Sequence, residues 1–178
     1  AFCEERVRPH AREWDAKEAF PHEVVKELGQ LGVMGILVSE EYGGAGMDAL
    51  GVAVAVEEIA RYDGSLALTV ASHNGLGTSH LRIFGNDEQR RKYLPKLASG
   101  EWLGAWGLTE PGGGSDAAGM KTTAVRKGDG WVLNGSKMFI TQGTVGHVFV
   151  ILAVTDPAKK QKGITAFILE KGHKGFSQ

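Results

Sequence analysis

The sequence contains very little cysteine. Cys3 is the single cysteine among 178 residues, so the chain can form neither an internal disulfide nor a metal cluster of the cysteine type. We predict no metal site in this chain. A protein with so few thiols suits a reducing compartment.

Long apolar runs are also missing. The longest, near residues 52–56 and 148–154, are far shorter than the roughly 20 residues that a helix needs to cross a bilayer. No basic segment followed by an apolar one precedes Phe2, so we expect no secretory leader here. Both patterns predict a chain that neither spans a membrane nor is secreted.

The chain has no excess of positive charge. Its 20 basic and 21 acidic residues leave a net charge of -1, which argues against a dedicated nucleic-acid surface. The one dense basic run, Arg90-Arg91-Lys92, follows Asp87 and Glu88 in a helical stretch, so we interpret it as a solvated helix face. We therefore predict no nucleic-acid partner.

The first half of the chain has a helical period. In "PHEVVKELGQLG", residues 21–32, the apolar residues recur at three- and four-residue steps before Gly32. Asp48 is placed as an N-cap for "ALGVAVAVEEIARY", whose apolar composition predicts a helix central to a bundle. Further helices are expected from near Ser65 to Gly85, and after Asn86 or Asp87. Residues 1–100 are thus predicted to be a helical bundle domain.

The second half has the period of strands. We expect strands in residues 101–109, 121–128, 131–141, 147–154 and 163–171, with a hairpin turn at Gly128-Asp129-Gly130. No helix separates them, which favours a compact β-domain over a βαβ unit. The predicted fold class is α+β, with an antiparallel, β-barrel-like domain at 101–178. Because the chain begins at Ala1 without methionine and stops at Gln178, we expect it to be a piece of a longer protein.

Three consecutive glycines stand in "LTEPGGGSD", residues 108–116. A phosphate-binding P-loop would continue with Lys and Ser or Thr, but Ser115 and Asp116 follow. A dinucleotide fingerprint would need a following helix, whereas "KTTAVRK" has the pattern of a strand. The open alternatives are a plain turn between strands and a site where a flat, polar-edged ligand lies against bare backbone.

Four segments together resemble the acyl-CoA dehydrogenase family of flavoproteins. They are "SEEYGGAGMD", "FGNDEQRRKYLPKLASGE", "GLTEPGGGSD" and "LNGSKMFIT", in this order. The family architecture is a helical domain, a middle β-domain and a C-terminal helical domain, and the resemblance implies that the last is absent from this chain. Phe139 replaces the tryptophan of many members, and Gln142 replaces a common asparagine.

The resemblance implies FAD as the cofactor and assigns its contacts. Ser115 is expected near both the FAD pyrophosphate and the CoA portion of the substrate, and the Thr141 hydroxyl is expected near flavin N5. The full set of implied cofactor-binding residues is Trp106, Leu108, Thr109, Gly114, Ser115, Phe139, Ile140 and Thr141.

The resemblance places the catalytic base in the domain that this chain lacks. Glu110 lies within the glycine motif, but the family gives it no such role, so no catalytic residue is predicted here. The implied activity is oxidation of an acyl-CoA thioester to the trans-2-enoyl-CoA, with this fragment inactive alone. An acyl-CoA oxidase and a non-catalytic acyl-CoA- or flavin-binding module are the alternatives.

The resemblance also implies partners and a location for the full-length protein. Electron-transfer flavoprotein is the expected electron acceptor, and a homo-oligomer, dimer or tetramer, is the expected assembly. The expected location is the cytoplasm in a bacterium or the mitochondrial matrix in a eukaryote.

Overall fold

Six α-helices and five strands follow one another along the chain in a computed structural model that describes all of residues 1–178. The chain divides into two compact units, Ala1–Leu103 and Gly104–Gln178. The first unit holds all the α-helices and the second all the strands. This confirms the predicted α+β class with an N-terminal helical region.

The helical unit begins with a short π-helical turn, Cys3–Val7. Its α-helices are α1 (Ala11–Lys17), α2 (His22–Gln30), α3 (Ala49–Ala60), α4 (Gly64–Ser72), α5 (Ser79–Phe84) and α6 (Asp87–Ala98). A π-helical segment, His73–Thr78, joins α4 to α5. No helix is long and apolar enough to cross a membrane.

The helices α3 and α6 begin directly after residues whose side chains cap them. The Asp48 side chain accepts hydrogen bonds from the backbone N–H groups of Leu50 and Gly51, as predicted. Asn86 and Gln89 form a reciprocal capping box at the start of α6, which settles the choice between Asn86 and Asp87. Local side-chain chemistry therefore fixes both boundaries.

The core of the helical unit lies between α2, the segment after it, α4 and α6. Its most deeply buried side chains are Leu28, Met34, Val38, Leu66, Val70, Leu94 and Leu97. The prediction that α3 is central was wrong, because Ile59 is the one residue of this helix that is buried. Leu50 and Val54 are 69% and 59% exposed. Apolar composition did not specify which surface, if any, would cover the helix.

The strands of the second unit are β1 (Gly104–Gly107), β2 (Thr123–Lys127), β3 (Gly130–Asn134), β4 (Val148–Val154) and β5 (Ile164–Glu170). β4 pairs antiparallel with β5 along its whole length. Its other edge is shared: β1 pairs in parallel with Val148–Ile151, and Thr123 of β2 pairs in parallel with Val154. β2 and β3 form the predicted hairpin around Gly128 and Asp129.

The sheet corrects the prediction of an antiparallel, barrel-like domain. It is mixed, because β1 and β2 both run parallel to β4. It is also open, since the strand path ends at β1 and β3 and no pairing joins them. Loops rather than hairpin turns connect β1 to β2 and β3 to β4, because neither of these two pairs of strands is adjacent in the sheet.

The long strand expected at 131–141 is shorter than predicted. It ends at Asn134, and residues 135–141 form an irregular segment. Phe139 and Gln142 have φ of 56° and 61°, in the left-handed region that interrupts a strand. The β-branched and aromatic residues of "KMFIT" thus favoured a strand locally, but the backbone turns there instead.

Candidate functional site

The glycine motif folds as a tight turn directly after β1. Glu110 and Gly113 exchange two backbone hydrogen bonds of 2.9 and 3.1 Å, which close the turn through Pro111 and Gly112. A Cβ on Gly114 would lie 3.1 Å from Cγ2 of Thr109, so the Thr109 side chain packs against this glycine. Two of the predicted site residues are therefore in contact.

Gly112 and Gly113 have a different environment. A Cβ built on either one would meet no protein atom within 4 Å, and neither residue has a left-handed φ. Neither packing nor backbone conformation therefore requires glycine at these positions. Their bare main chain faces open space, which suits close approach of a ligand to the backbone.

The second predicted segment lies beside this turn. The backbone N–H of Met138 donates to the carbonyl of Thr109 at 2.9 Å. The Lys137 ammonium donates to the carbonyl of Leu108 at 3.0 Å and to the Glu110 carboxylate at 2.8 Å. The structure thus brings together residues 108–115 and 137–141, which the sequence separates by more than 20 positions.

The side chains of residues 139–141 differ in exposure and in their contacts. The Phe139 side chain is 87% exposed although it is a large aromatic, and its left-handed φ is uncommon for such a residue. Thr141 is half-buried, whereas Ile140 packs against the sheet core formed by Ala105, Phe149 and Ile151. Ile140 therefore anchors the segment while Phe139 projects from it.

The remaining predicted residues lie at the ends of these segments. Trp106 is in β1, opposite Val150 of β4, and is half-buried. Leu108 follows β1 directly and is also half-buried, whereas Ser115 is exposed after the glycine turn. The site thus offers hydroxyl groups, an exposed aromatic ring and free backbone, a combination that fits a flat ligand with polar edges.

Glu110 is the one carboxylate buried within the glycine motif, with 8% exposure. Burial by itself raises the pKa of Glu110, but the Lys137 ammonium and the backbone N–H groups of Lys121 and Thr122 outweigh it and lower the pKa to about 2. A carboxylate held this firmly in its ionised form is a poor general base near neutral pH. The Glu110 carboxylate thus serves as an acceptor for donors of its own unit.

Sequence reasoning missed Lys137. It lies in "LNGSKMFIT", but no periodic or spacing signal connects it to Glu110, which is 27 residues away. A lysine next to a methionine in a polar segment resembles any surface lysine. Its buried pairing is visible only in the folded chain.

Two polar residues of the helical unit have structural roles. His73 and Asn74 are fully buried in the helical core. No group of three or more His, Cys, Asp or Glu side chains anywhere in residues 1–178 is arranged to hold a metal ion.

The chain belongs to the acyl-CoA dehydrogenase family. The family model described as "Acyl-CoA dehydrogenase, N-terminal domain" matches residues 1–101, and the model "Acyl-CoA dehydrogenase, middle domain" matches residues 105–178. The chain is 51% identical over 176 residues to the short-chain specific acyl-CoA dehydrogenase of Clostridium acetobutylicum. That match covers 99% of this chain and 46% of the relative, so the chain spans about half the length of the curated relatives it matches.

Solved structures are also similar to this chain. One described as "Electron transferring flavoprotein of Acidaminococcus fermentans" has a TM-score of 0.96 and 42% identity, over 99% of this chain and 46% of that one. An acyl-CoA dehydrogenase from Bacillus anthracis complexed with FAD has a TM-score of 0.85 and 41% identity, over 99% of this chain and 30% of that one.

Proposed function

We propose that residues 1–178 form the cofactor-binding part of an FAD-dependent acyl-CoA dehydrogenase. The observation that carries this proposal is the pairing of the glycine turn with residues 137–141, which sets bare backbone beside an exposed aromatic ring. The relative from Clostridium is named as a short-chain acyl-CoA dehydrogenase, and the Bacillus structure contains FAD. The proposed reaction is oxidation of an acyl-CoA thioester to its trans-2-enoyl-CoA.

The residues of the two segments fit a flavin by their chemistry. Thr109 and Thr141 would donate hydrogen bonds to the polar edges of the ring, and Phe139 would contact its face. Trp106, Leu108 and the backbone of Ile140 would lie along the ring, while Gly114 and Ser115 would face the phosphates and the CoA portion of the substrate. When bound, FAD supplies the acceptor for the hydride that leaves the substrate. Hydroxyl donors fixed before the reaction stabilise charge that develops at the ring edge.

We propose that the catalytic base lies outside residues 1–178. Glu110 already accepts three hydrogen bonds, including one from Lys137, so its lone pairs face protein donors rather than open space. Abstraction of the α-proton needs a carboxylate with a free lone pair. We therefore expect residues 1–178 alone to be inactive.

The remaining parts of the proposal concern the whole protein. The substrate would be an acyl-CoA, and electron-transfer flavoprotein would take up the electrons. The description of one solved structure similar to this chain names such a flavoprotein, which associates chains of this kind with that electron carrier. The whole protein would be a dimer or tetramer, located in the cytoplasm of a bacterium or the mitochondrial matrix of a eukaryote.

Replacement of Gly113 by valine in the full-length protein tests the cofactor site. No protein atom within 4 Å would clash with the new Cβ, so we expect an almost unchanged unfolding temperature when the variant and the wild type are compared without FAD. We expect FAD to be lost, because the branched side chain would fill the space above the turn. The ratio of flavin to protein absorbance after purification measures this directly.

Gly130→Val is the matched control, since Gly130 also faces open space in the same unit and has no left-handed φ. It should retain FAD. If Gly113→Val remains fully loaded with FAD, the glycine turn does not contact the cofactor and the proposed site is wrong.

A further inference from the structure

The ion pair between Glu110 and Lys137 joins the two segments of the candidate site. The distance from Nζ to Oε1 is 2.8 Å, and each side chain is only 8% exposed. Glu110 belongs to the glycine motif, and Lys137 directly precedes residues 138–141. A pair placed at this junction sets the separation between the two segments.

Each member of the pair also holds backbone from other parts of the unit. The Glu110 carboxylate accepts from the backbone N–H of Lys121 at 2.6 Å and of Thr122 at 2.9 Å. Lys137 donates to the carbonyl of Leu108 at 3.0 Å. The end of β1, the approach to β2 and the segment after β3 are therefore fixed to one another through two side chains.

The lysine side chain reaches this position over Gly107. A Cβ on Gly107 would lie 3.3 Å from Cγ of Lys137 and 2.5 Å from Cδ1 of Ile151. The absence of a side chain there leaves room for the aliphatic part of Lys137. The pair is thus built into the packing of β1 and β4, unlike a surface ion pair formed by mobile side chains.

We propose that Glu110 and Lys137 are positioning residues, which set the geometry of residues 108–115 and 138–141 for the cofactor without contacting it. This inference rests on the proposed function. Thr109 is adjacent to Glu110, and Phe139 and Thr141 follow Lys137 closely. A shift of about 1 Å in either segment would misplace donors that must meet a rigid ring.

A purely structural ion pair would behave differently from a positioning pair. Removal of one charge leaves the other buried without a partner, which destabilises the fold in either case. Removal of both charges with side chains of similar volume relieves that penalty. A purely structural pair would then regain both stability and cofactor binding, whereas a positioning pair would regain stability alone.

The experiment compares Lys137→Met, Lys137→Arg and the double variant Glu110→Gln with Lys137→Met in the full-length protein. The readouts are the unfolding temperature measured without FAD, the Kd for FAD and the visible circular dichroism spectrum of the bound flavin. We expect Lys137→Met to weaken FAD binding by about tenfold or more and to change the flavin spectrum, and Lys137→Arg to recover most of both.

The double variant decides the question even if Lys137→Met does not fold. We expect it to unfold closer to the wild-type temperature, while its FAD affinity remains about tenfold or more below that of the wild type. Lys159→Met is the matched control, because Lys159 forms an exposed ion pair with Asp156 in the same unit. It should leave all three readouts unchanged.

Two results would overturn the inference. One is a folded Lys137→Met variant with the Kd and flavin spectrum of the wild type. The other is a double variant that regains stability and FAD binding together. Failure of the proposed function is distinguishable, since in that case the wild-type protein itself would bind no FAD.

Discussion

The helical unit and the sheet unit both bury polar side chains, but they satisfy them in opposite ways. In the helical unit, His73 and Asn74 are fully buried and bind backbone groups as neutral side chains. In the sheet unit, Glu110 and Lys137 are buried as an ion pair. The chain thus contains a neutral polar centre and a charged one.

The partners explain the difference. Desolvation by burial lowers the pKa of His73 to about 4, although backbone hydrogen bonds to Leu97 and Met34 oppose the shift. The Lys137 ammonium beside Glu110 helps to lower the pKa of this carboxyl to about 2, so Glu110 stays ionised. A buried titratable group next to a motif is therefore no evidence of catalysis by itself, since its hydrogen-bond partners decide which form is stable.

The largest loss of stability is expected when the ion pair between Glu110 and Lys137 is broken. Glu110→Ala leaves the Lys137 ammonium buried without its counter-ion and two backbone N–H groups without an acceptor. We expect a loss of about 3–5 kcal/mol in the free energy of unfolding. Chemical denaturation of the full-length protein measures it.

Glu101→Ala is the control, because the Glu101 carboxylate is exposed and lies 3.8 Å from Lys96. Its effect should be within about 0.5 kcal/mol. Equal effects of the two variants would show that the buried pair contributes no more than a surface pair.

The neutral centre should make stability depend on pH. The pKa of His73 lies at about 4 in the folded state against 6.5 in the unfolded chain, so the unfolded state binds more protons between these values. The contribution of His73 is fully present above about pH 6.5 and is lost as the pH falls toward 4. We expect a loss of about 3 kcal/mol across this window, measured by denaturation at a series of pH values.

The His73→Gln variant should lose this pH dependence, whatever its stability at neutral pH. His80→Gln is the control, since His80 is half-buried whereas His73 is fully buried. If the unfolding free energy of the His73→Gln variant depends on pH as strongly as that of the wild type, other groups cause the acid instability. Glu110 contributes little above about pH 5, because its stabilisation is lost only as the pH falls from its ordinary pKa of 4.5 toward its folded pKa of about 2.

A smaller effect is expected at Asn74. Its side chain accepts from Ile36 N and donates to the carbonyls of Val33 and Val70, at 3.0 to 3.1 Å. Asn74→Leu keeps the branched shape of the side chain but leaves these backbone groups without a partner, which we expect to destabilise the protein by about 2 kcal/mol.

Gln30→Leu is the comparison for Asn74→Leu, because Gln30 is exposed at the end of α2. Denaturation midpoints of the two variants show the difference. If Asn74→Leu is as stable as the wild type, the neutral centre is held by packing rather than by its hydrogen bonds.

Local features of the fold were readable from the sequence. Asp48 and Asn86 cap their helices because their side chains reach backbone N–H groups only two or three residues away. Gly128 and Asp129 form the hairpin turn because a two-residue loop brings its own neighbours into register. The segments that contain Thr109 and Thr141 were predicted as cofactor contacts from their resemblance to the acyl-CoA dehydrogenase family.

The errors arose where distant segments compete with local preference. Residues 135–141 contain strand-forming side chains, but the backbone of Met138 pairs with Thr109 and Lys137 turns inward to Glu110. Parallel pairing of β1 with β4 joins residues more than 40 positions apart and leaves no local signal. The error about α3 has the same origin, because the composition of a helix does not predict which surface packs against it.

The sequence alone determined that helices precede strands, where α3 and α6 are capped and where the hairpin turns. These depend on contacts between residues close together in the chain. The tertiary structure alone decided that the sheet is mixed and open, that His73 is neutral, and that Glu110 and Lys137 join the two segments. Each of these depends on a desolvated contact between distant residues, whose strength is set by burial and by partners that only the folded chain brings together.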